Sequence, residues 1–283
     1  MHKKLTIALP ASAISDTPHL REKTSKIGLI GRAAAIFRVN EIIVYAGSSK
    51  TRQFNDSHLM TTLLAYMETP QYLRKRLFKL DPQLQYAGIL PPLRTPHHPL
   101  YSKSTSLKVG ENREGVVLAR NKDSLLIDIG VDKPVLMREN TSAIGTRLTT
   151  RVVKEGEHVE VENLDRDQIQ VYWGYKVSAH ERPITGLFKE EKFDLTIATS
   201  KFGTRYADVA EKLASEWTKA KSVLVAFGAP AEGLFEIARD EGANLNDQVD
   251  FVVNTIPNQG TDTVRTEEAV LGSLAIFNTR FEW

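Results

Sequence analysis

Val223–Gly242 reads VLVAFGAPAEGLFEIARDEG, and Val253–Phe277 reads VNTIPNQGTDTVRTEEAVLGSLAIF. Each stretch is an apolar run, a Gly/Pro turn and then a helical pattern, so each predicts strand, turn, helix. The pair decides the fold. Strands alternating with helices build a parallel sheet, and the loops at the strand ends are where such sheets hold ligands. The first turn, Gly228 to Gly233, has the GxxxxG spacing of a P-loop, but Leu234 and Phe235 stand where a P-loop has Lys and Ser/Thr. Pro230 lacks the N–H that a phosphate cradle uses. The Ala229-Pro230 pair also breaks the GxGxxG of dinucleotide folds. A phosphate-rich ligand is disfavoured.

In the second turn Thr266 is placed to cap the last helix, with Glu267 and Glu268 in its first turn, where the helix dipole favours carboxylates. A cap accounts for those three residues. It leaves unexplained the irregular loop before them, and such loops at sheet ends are usual ligand sites.

Outward from these turns the chain falls into three segments. The front alternates: KKLTIAL as a strand, a helix over about residues 17–39 with Ile27, Ile30, Ala34 and Phe37 on one face, EIIVY as a strand, and a helix over about 56–68 opened by NDS. QYLRKRLFKLDP follows, then YAGILPPLRTPHHP, too rich in proline for a helix or central strand. The middle changes period. REGVVLAR, SLLIDIG, PVLMREN, RLTTRVV, HVEVENL and QIQVYWGYKV are short β-type runs between turn residues. They predict a small β-barrel, OB-like first, with an SH3-like barrel indistinguishable at this level. The back alternates again, from FDLTIATS through YADVAEKLASEWTKA to the two quoted units. The expected organisation is one α/β domain made of residues 1–100 and 179–283, with residues 101–178 inserted as the barrel.

Of the 283 residues 41% are hydrophobic and 25% charged, as in ordinary globular chains, and no apolar run approaches membrane-helix length. The apolar stretch near the N-terminus is cut by Pro10 and reads as a strand rather than a signal peptide. No cysteine is present, which excludes disulfides and thiolate chemistry and makes a cytoplasmic location the expectation. Net charge is +2, but residues 1–101 carry +8, residues 102–178 balance and residues 179–283 carry −6. The basic front fits a polyanion partner, or pairing of opposite charges between copies. Arg38, Arg74, Lys75, Arg76, Arg94, Arg120 and Arg151 are the candidate phosphate contacts to such a partner, with Trp173 and Tyr175 as stacking platforms. His97 and His98 are adjacent in a loop with no Cys or HExxH to complete a site, so no metal is expected.

VAFGAPAEGL and NTIPNQGTDTVRTEEA, together with LTIALPASAISD, KIGLIGRAAAIFRV and GILPPLRTPHHP, resemble the SPOUT class of RNA methyltransferases. Within it they are most similar to the archaeal and eukaryotic branch with an inserted β-barrel. The resemblance covers nearly the whole chain. It implies a parallel α/β domain with a C-terminal trefoil knot, a homodimer, and S-adenosylmethionine as methyl donor. It also answers for the turns, since that donor carries no phosphate. By motif position, Gly228, Ala229, Pro230 and Gly233 would form one wall of the cofactor pocket. Thr255, Ile256, Pro257, Gln259 and Gly260 would form a second, and Val264, Thr266 and Ala269 a third. The resemblance further implies a catalytic role for Arg32 on the first helix, delivered to the partner subunit's pocket, with Arg38 and Arg265 as alternatives. A guanidinium is a poor base and suits holding a phosphate or a developing oxyanion.

The function expected is an S-adenosylmethionine-dependent RNA methyltransferase, ribosomal RNA being favoured as substrate. The competing reading is a knotted RNA-binding or ribosome-assembly protein that keeps the cofactor pocket without methyl transfer. Transfer of a labelled methyl group separates the two. The methylated atom, base nitrogen or ribose 2′-oxygen, is not legible.

Overall fold

The computed structural model describes residues 3–46, 50–138, 141–190 and 192–281. The front gives β1 (Lys4–Pro10), α1 (Leu20–Ile36), β2 (Glu41–Tyr45), α2 (Lys50–Glu68) and α3 (Gln71–Leu77). The middle gives β3 (Asn112–Arg120), β4 (Leu125–Asp128), β5 (Val135–Met137), β6 (Arg147–Lys154), β7 (Glu160–Asn163) and β8 (Lys176–His180). The back gives α4 (Ile184–Phe188), β9 (Leu195–Arg205), α5 (Tyr206–Lys219), β10 (Ser222–Ala226), α6 (Leu234–Asp240), β11 (Phe251–Asn254) and α7 (Thr266–Arg280). By backbone proximity the chain divides into two units: Met1–Ala65 with Gln83–Pro92 and Tyr175–Trp283, and Tyr66–Pro82 with Leu93–Gly174.

The first unit is built on a six-stranded sheet in the order β11-β9-β10-β1-β2-β8, every pairing parallel. β1 is buried from Leu5 onward and β10 from Val223 onward, the continuous apolar run of strands covered on both faces. Ile27, Ile30 and Ala34 of α1 are buried, and Phe37 just beyond it is half-buried. α1 packs on α7, where buried Lys26 meets Asp16 at 2.8 Å and Glu267 at 3.3 Å. At the far end of α7, Phe281 stacks on Trp217 of α5 with ring centroids 4.4 Å apart.

Three local expectations change. α2 begins at Lys50, so Asn55-Asp56-Ser57 lies inside the helix, and Asp56 instead pairs with Lys23 of α1 at 2.6 Å. QIQVYWGYKV is not a barrel strand: only its end enters β8, which pairs with β2 at the edge of the sheet. β9 is longer than its sequence predicts. It pairs with β10 only through Ala198, then runs on beside β11, whose register shifts between Val252 and Val253. The crossing is close: a Cβ on Gly203 would lie 2.8 Å from the backbone of Val252 and Val253, an approach only glycine permits.

The second unit contains a closed five-stranded barrel, β3-β4-β5-β7-β6 with β6 back on β3. All neighbours are antiparallel except β5 and β7. Val117, Leu125, Ile127, Val135, Met137 and Val161 fill it. Outside that core lies a buried charged cluster. Glu68 accepts from Arg147 at 2.6 Å and Arg166 at 2.8 Å, with His97 Nε2 at 3.3 Å. Glu114 accepts from Arg147 Nε at 2.6 Å, Trp173 Nε1 at 2.6 Å and Thr149 Oγ1 at 2.7 Å. Burial pushes the Glu68 carboxyl up, but the hydrogen bond from His97 and the charges of Arg147 and Arg166 outweigh it and hold it at about 2.

Candidate functional site

Buried Phe227 follows β10 directly and its N–H continues the ladder to Ala8 O at 3.0 Å, and the chain then turns at Gly228. The turn is closed by Ala229 N–H donating to Glu232 O at 2.9 Å. Gly233 N–H donates to Glu236 Oε2 at 2.8 Å and starts α6. Gly228 has little room: a Cβ there would stand 3.1 Å from Gly233 Cα and Leu234 N and 3.2 Å from Glu232 O. Any larger residue must push the turn open.

The second loop leaves β11 at Asn254. Buried Thr255 shares a 2.7 Å hydroxyl contact with Ser273 of α7. Asn258 adopts a left-handed φ of 57°, which asparagine tolerates. Gln259 donates its amide to the carbonyls of Thr261 and Asp262 at 2.8 and 3.1 Å. The residue before α7 is Arg265, whose N–H donates to Glu268 at 2.9 Å. Thr266 is thus the first helical residue and not the cap, and its hydroxyl donates to Gly228 O at 3.1 Å, tying the two turns together.

These loops enclose a cavity of about 310 Å³. Gly228, Ala229, Pro230 and Gly233 line it, as do Thr255, Ile256, Gln259, Val264, Thr266 and Ala269. Pro257 and Gly260 belong to the same loop but are exposed and stand off the cavity. A further wall escaped the sequence reading: Thr199, Ser200, Lys201 and Phe202 of β9. Asn254 Nδ2 donates to Lys201 O at 2.9 Å, Lys201 Nζ donates to Asp262 O at 3.3 Å, and Thr199 Oγ1 donates to Ala226 O at 2.9 Å. The wall is therefore held by both neighbouring strands. Among its lining residues the cavity has one cation, Lys201, against Glu232, Glu236 and Asp262. That balance repels phosphate and suits a neutral or cationic ligand. Phe227, Phe235, Ile256 and Val264 supply apolar surface for a flat ring.

A family model described as "Putative RNA methyltransferase" matches residues 4–277. The chain belongs to this RNA methyltransferase family. A protein of Halobacterium salinarum described as uncharacterised is 30% identical over 292 residues, covering 95% of this chain and 96% of its own. The human 28S rRNA (uridine-N(3))-methyltransferase is 33% identical over 304 residues, covering 96% of this chain and 77% of its own. The mouse protein of the same name is 34% identical over 303 residues, with 96% and 75% covered.

The remaining candidate residues lie elsewhere in this family member. Arg32 is half-buried on α1, donates to Pro92 O at 3.2 Å, and does not line the cavity of its own chain. Arg38 is exposed, with a left-handed φ of 55°. Arg265 is exposed just before α7. Arg74 donates to Thr69 O at 2.9 Å and Met67 O at 3.2 Å, closing the end of α2, and lies over the Tyr66 ring. Arg76 pairs with Asp128 at 2.6 Å, and Lys75 is exposed. Arg94 is exposed at φ 52°. Arg120 donates to Ser142 O at 2.8 Å, and Arg151 to Asn112 at 3.3 Å. The stacking role expected of Trp173 and Tyr175 is overturned. Trp173 is buried with its N–H on Glu114, and Tyr175 is buried with its hydroxyl on Leu64 O at 3.2 Å.

His97 and His98 both direct Nε2 at Glu68 O, each at 2.8 Å. Among the described residues no group of three or more His, Cys, Asp or Glu is arranged to hold a metal. None of their helices is long and apolar enough to cross a membrane.

Proposed function

We propose that this chain transfers a methyl group from S-adenosylmethionine to N3 of a uridine in ribosomal RNA. The observation that carries the reading is the cavity at the ends of β9, β10 and β11, in a chain whose family is one of RNA methyltransferases. The relatives named uridine-N(3)-methyltransferases support the choice of substrate and atom. The residues present fit the donor: apolar rings and backbone groups for an adenine, an excess of carboxylates for a positive centre, and no cradle for phosphate. When bound, S-adenosylmethionine supplies an electrophilic methyl group. The chain supplies the walls: Gly228 to Gly233 on one side, Thr255 to Gln259 on another, and Val264, Thr266 and Ala269 on α7.

The same proposal includes the SPOUT class, a C-terminal trefoil knot, a homodimer and a cytoplasmic location, on the resemblance of the motifs quoted above. Arg32 would serve the cavity of a second copy. Exposed Leu29 and Ile36 on the same helix support a partner there. The proposed division is residues 1–100 and 179–283 against an inserted 101–178. The barrel strands, from Asn112 to Asn163, fall inside the insertion. The barrel's five strands and closure support an OB-like module that holds RNA, with exposed Lys75, Arg76, Arg94 and Arg120 as phosphate contacts.

Purified full-length protein, methyl-labelled S-adenosylmethionine and an unmodified large-subunit rRNA transcript form the test. N3-methyluridine in the digested product is the expected result. RNA binding with no label transferred would leave an assembly protein instead. Arg32→Ala and Gly228→Val should each be inactive as homodimers, while their purified heterodimer regains activity in the one site that has both parts. A dead heterodimer rejects the shared site.

A further inference from the structure

We infer that Lys201 and Phe202 form the subsite for the target base, Phe202 stacking on the pyrimidine and Lys201 balancing the charge its imide acquires. The inference rests on the uridine-N3 reading above and deepens it. Both residues line the cavity, on the wall that the sequence motifs left out. Phe202 is 72% exposed where it borders the cavity, so its ring is open to a ligand that enters there. Lys201 Nζ lies 5.2 Å from the centre of that ring, so cation and aromatic face act at one place.

Thr199 to Gly203 fall in the register shift between β9 and β11, and side chains tie them there: Asn254 donates to Lys201 O at 2.9 Å, and Lys201 Nζ to Asp262 O at 3.3 Å. One residue on, Gly203 lets β9 lie directly against Val252 and Val253. β11 thus anchors the Lys201-Phe202 pair from behind and leads into the second cofactor wall in front. A base stacked on Phe202 sits at the mouth of the cavity, on the side of its single lining cation.

The chemistry asks for both groups. N3 of uracil carries a proton, and its lone pair is delocalised into two flanking carbonyls. The proton must leave to solvent water, and the anion that remains spreads onto O2 and O4. An ammonium fixed nearby stabilises that anion in a site partly cleared of water. The freed pair on N3 then forms the bond to the methyl carbon, while the carbon–sulfur pair stays on sulfur as a neutral thioether. An aromatic face orients the ring without reading its edge, leaving N3 open to the donor.

The test uses the full-length protein with an unmodified large-subunit rRNA transcript, and with the same transcript carrying 5-iodouridine. Phe202→Ala should raise KM for the transcript about tenfold, the scale of one lost base–aromatic stack. It should also remove the photocrosslink that the 202 peptide of the parent forms with iodouridine. Phe202→Trp should stay within a few fold. Lys201→Ala should lower kcat and move the rise of its pH profile to higher pH, with Lys201→Arg between. Phe202→Ala should weaken S-adenosylhomocysteine binding, by calorimetry, much less than it raises KM for the transcript. Variants that keep parental KM, kcat and pH profile overturn the inference, as does a crosslink elsewhere. A Phe202→Ala protein whose defect tracks loss of self-association overturns it in favour of a contact between copies. If the parent makes no N3-methyluridine, the functional reading falls and the subsite with it. Parental activity with indifferent variants removes the subsite alone.

Discussion

The cavity loops and the buried cluster of the barrel unit use polar groups in opposite ways. Around the cavity, side chains tie down backbone: Thr266 to Gly228, Gln259 to Thr261 and Asp262, Asn254 to Lys201. The charged side chains that line it, Lys201, Glu232, Glu236 and Asp262, stand on walls whose turns are glycine, proline and alanine. In the barrel unit, charge itself is the construction material: Glu68 and Glu114 are buried and share Arg147 between them. The contrast shows where strength is cheap and where it is costly. A loop fastened by single neutral hydrogen bonds loses about 1 kcal/mol with each, whereas a buried carboxylate binding two guanidinium groups cannot lose one member without stranding the others.

The largest expected effect breaks the charged side of this comparison. Glu68→Ala leaves Arg147 and Arg166 without their shared partner and should destabilise the barrel unit by about 3–5 kcal/mol. Hydrogen exchange should show lost protection in β3 and β6 with β1 and β10 unchanged. Equal loss in all four strands would mean that the cluster supports the whole molecule. Next, Gly228→Val attacks the neutral side. The turn has no room for a side chain, so affinity for S-adenosylhomocysteine should fall at least about tenfold, while barrel protection stays at the parental level. Unchanged affinity would remove Gly228 from the binding wall.

The smallest effect sharpens the comparison through pH. Burial, and then the charge of His97, pulls His98 from 6.5 down to about 4. The unfolded chain therefore takes up that proton first, and stability declines as pH falls from 6.5 to about 4. Glu68, lowered from 4.5 to about 2, adds stability that is complete above 4.5 and is lost as pH falls through 2. Urea midpoints measured against pH should thus fall in two overlapping stages, and His98→Gln should flatten the upper one only. A single stage beginning below 4.5 would show that His98 is already free to charge.

What was legible in the sequence follows the same division. The turns were readable because glycine and proline at strand ends have a chemistry of their own, independent of neighbours. Ten of the positions named from them line one cavity, while Pro257 and Gly260 point away, a distinction that depends on how the loop folds back. Lys201 and Phe202 were missed because the apolar run LTIA ends in polar residues and reads as the close of a strand. What prolongs β9 is the shifted register against β11, a tertiary event. Trp173 and Tyr175 failed for the reverse reason. An aromatic among basic residues reads equally well as a stacking surface or a core, and Glu114 and Leu64, distant in sequence, decided for the core.

The ladder that joins Lys4 to Ser222 also has a consequence in time. The barrel strands, from Asn112 to Asn163, pair only among themselves, so that module can close while translation is still under way. β1 can meet β2 early but must wait for β10 on its other edge, and the ties that shape the cavity wait longer still, for Thr266 and Ser273. A chain truncated after His180 should resist protease across the barrel and be cut more readily in β1, which then has β2 on one edge but no β10 on the other, than the full-length protein. Equal resistance in both would show that the front of the sheet finds another partner in the meantime. Ligand capture is scheduled last, after every element that could handle RNA has already been made.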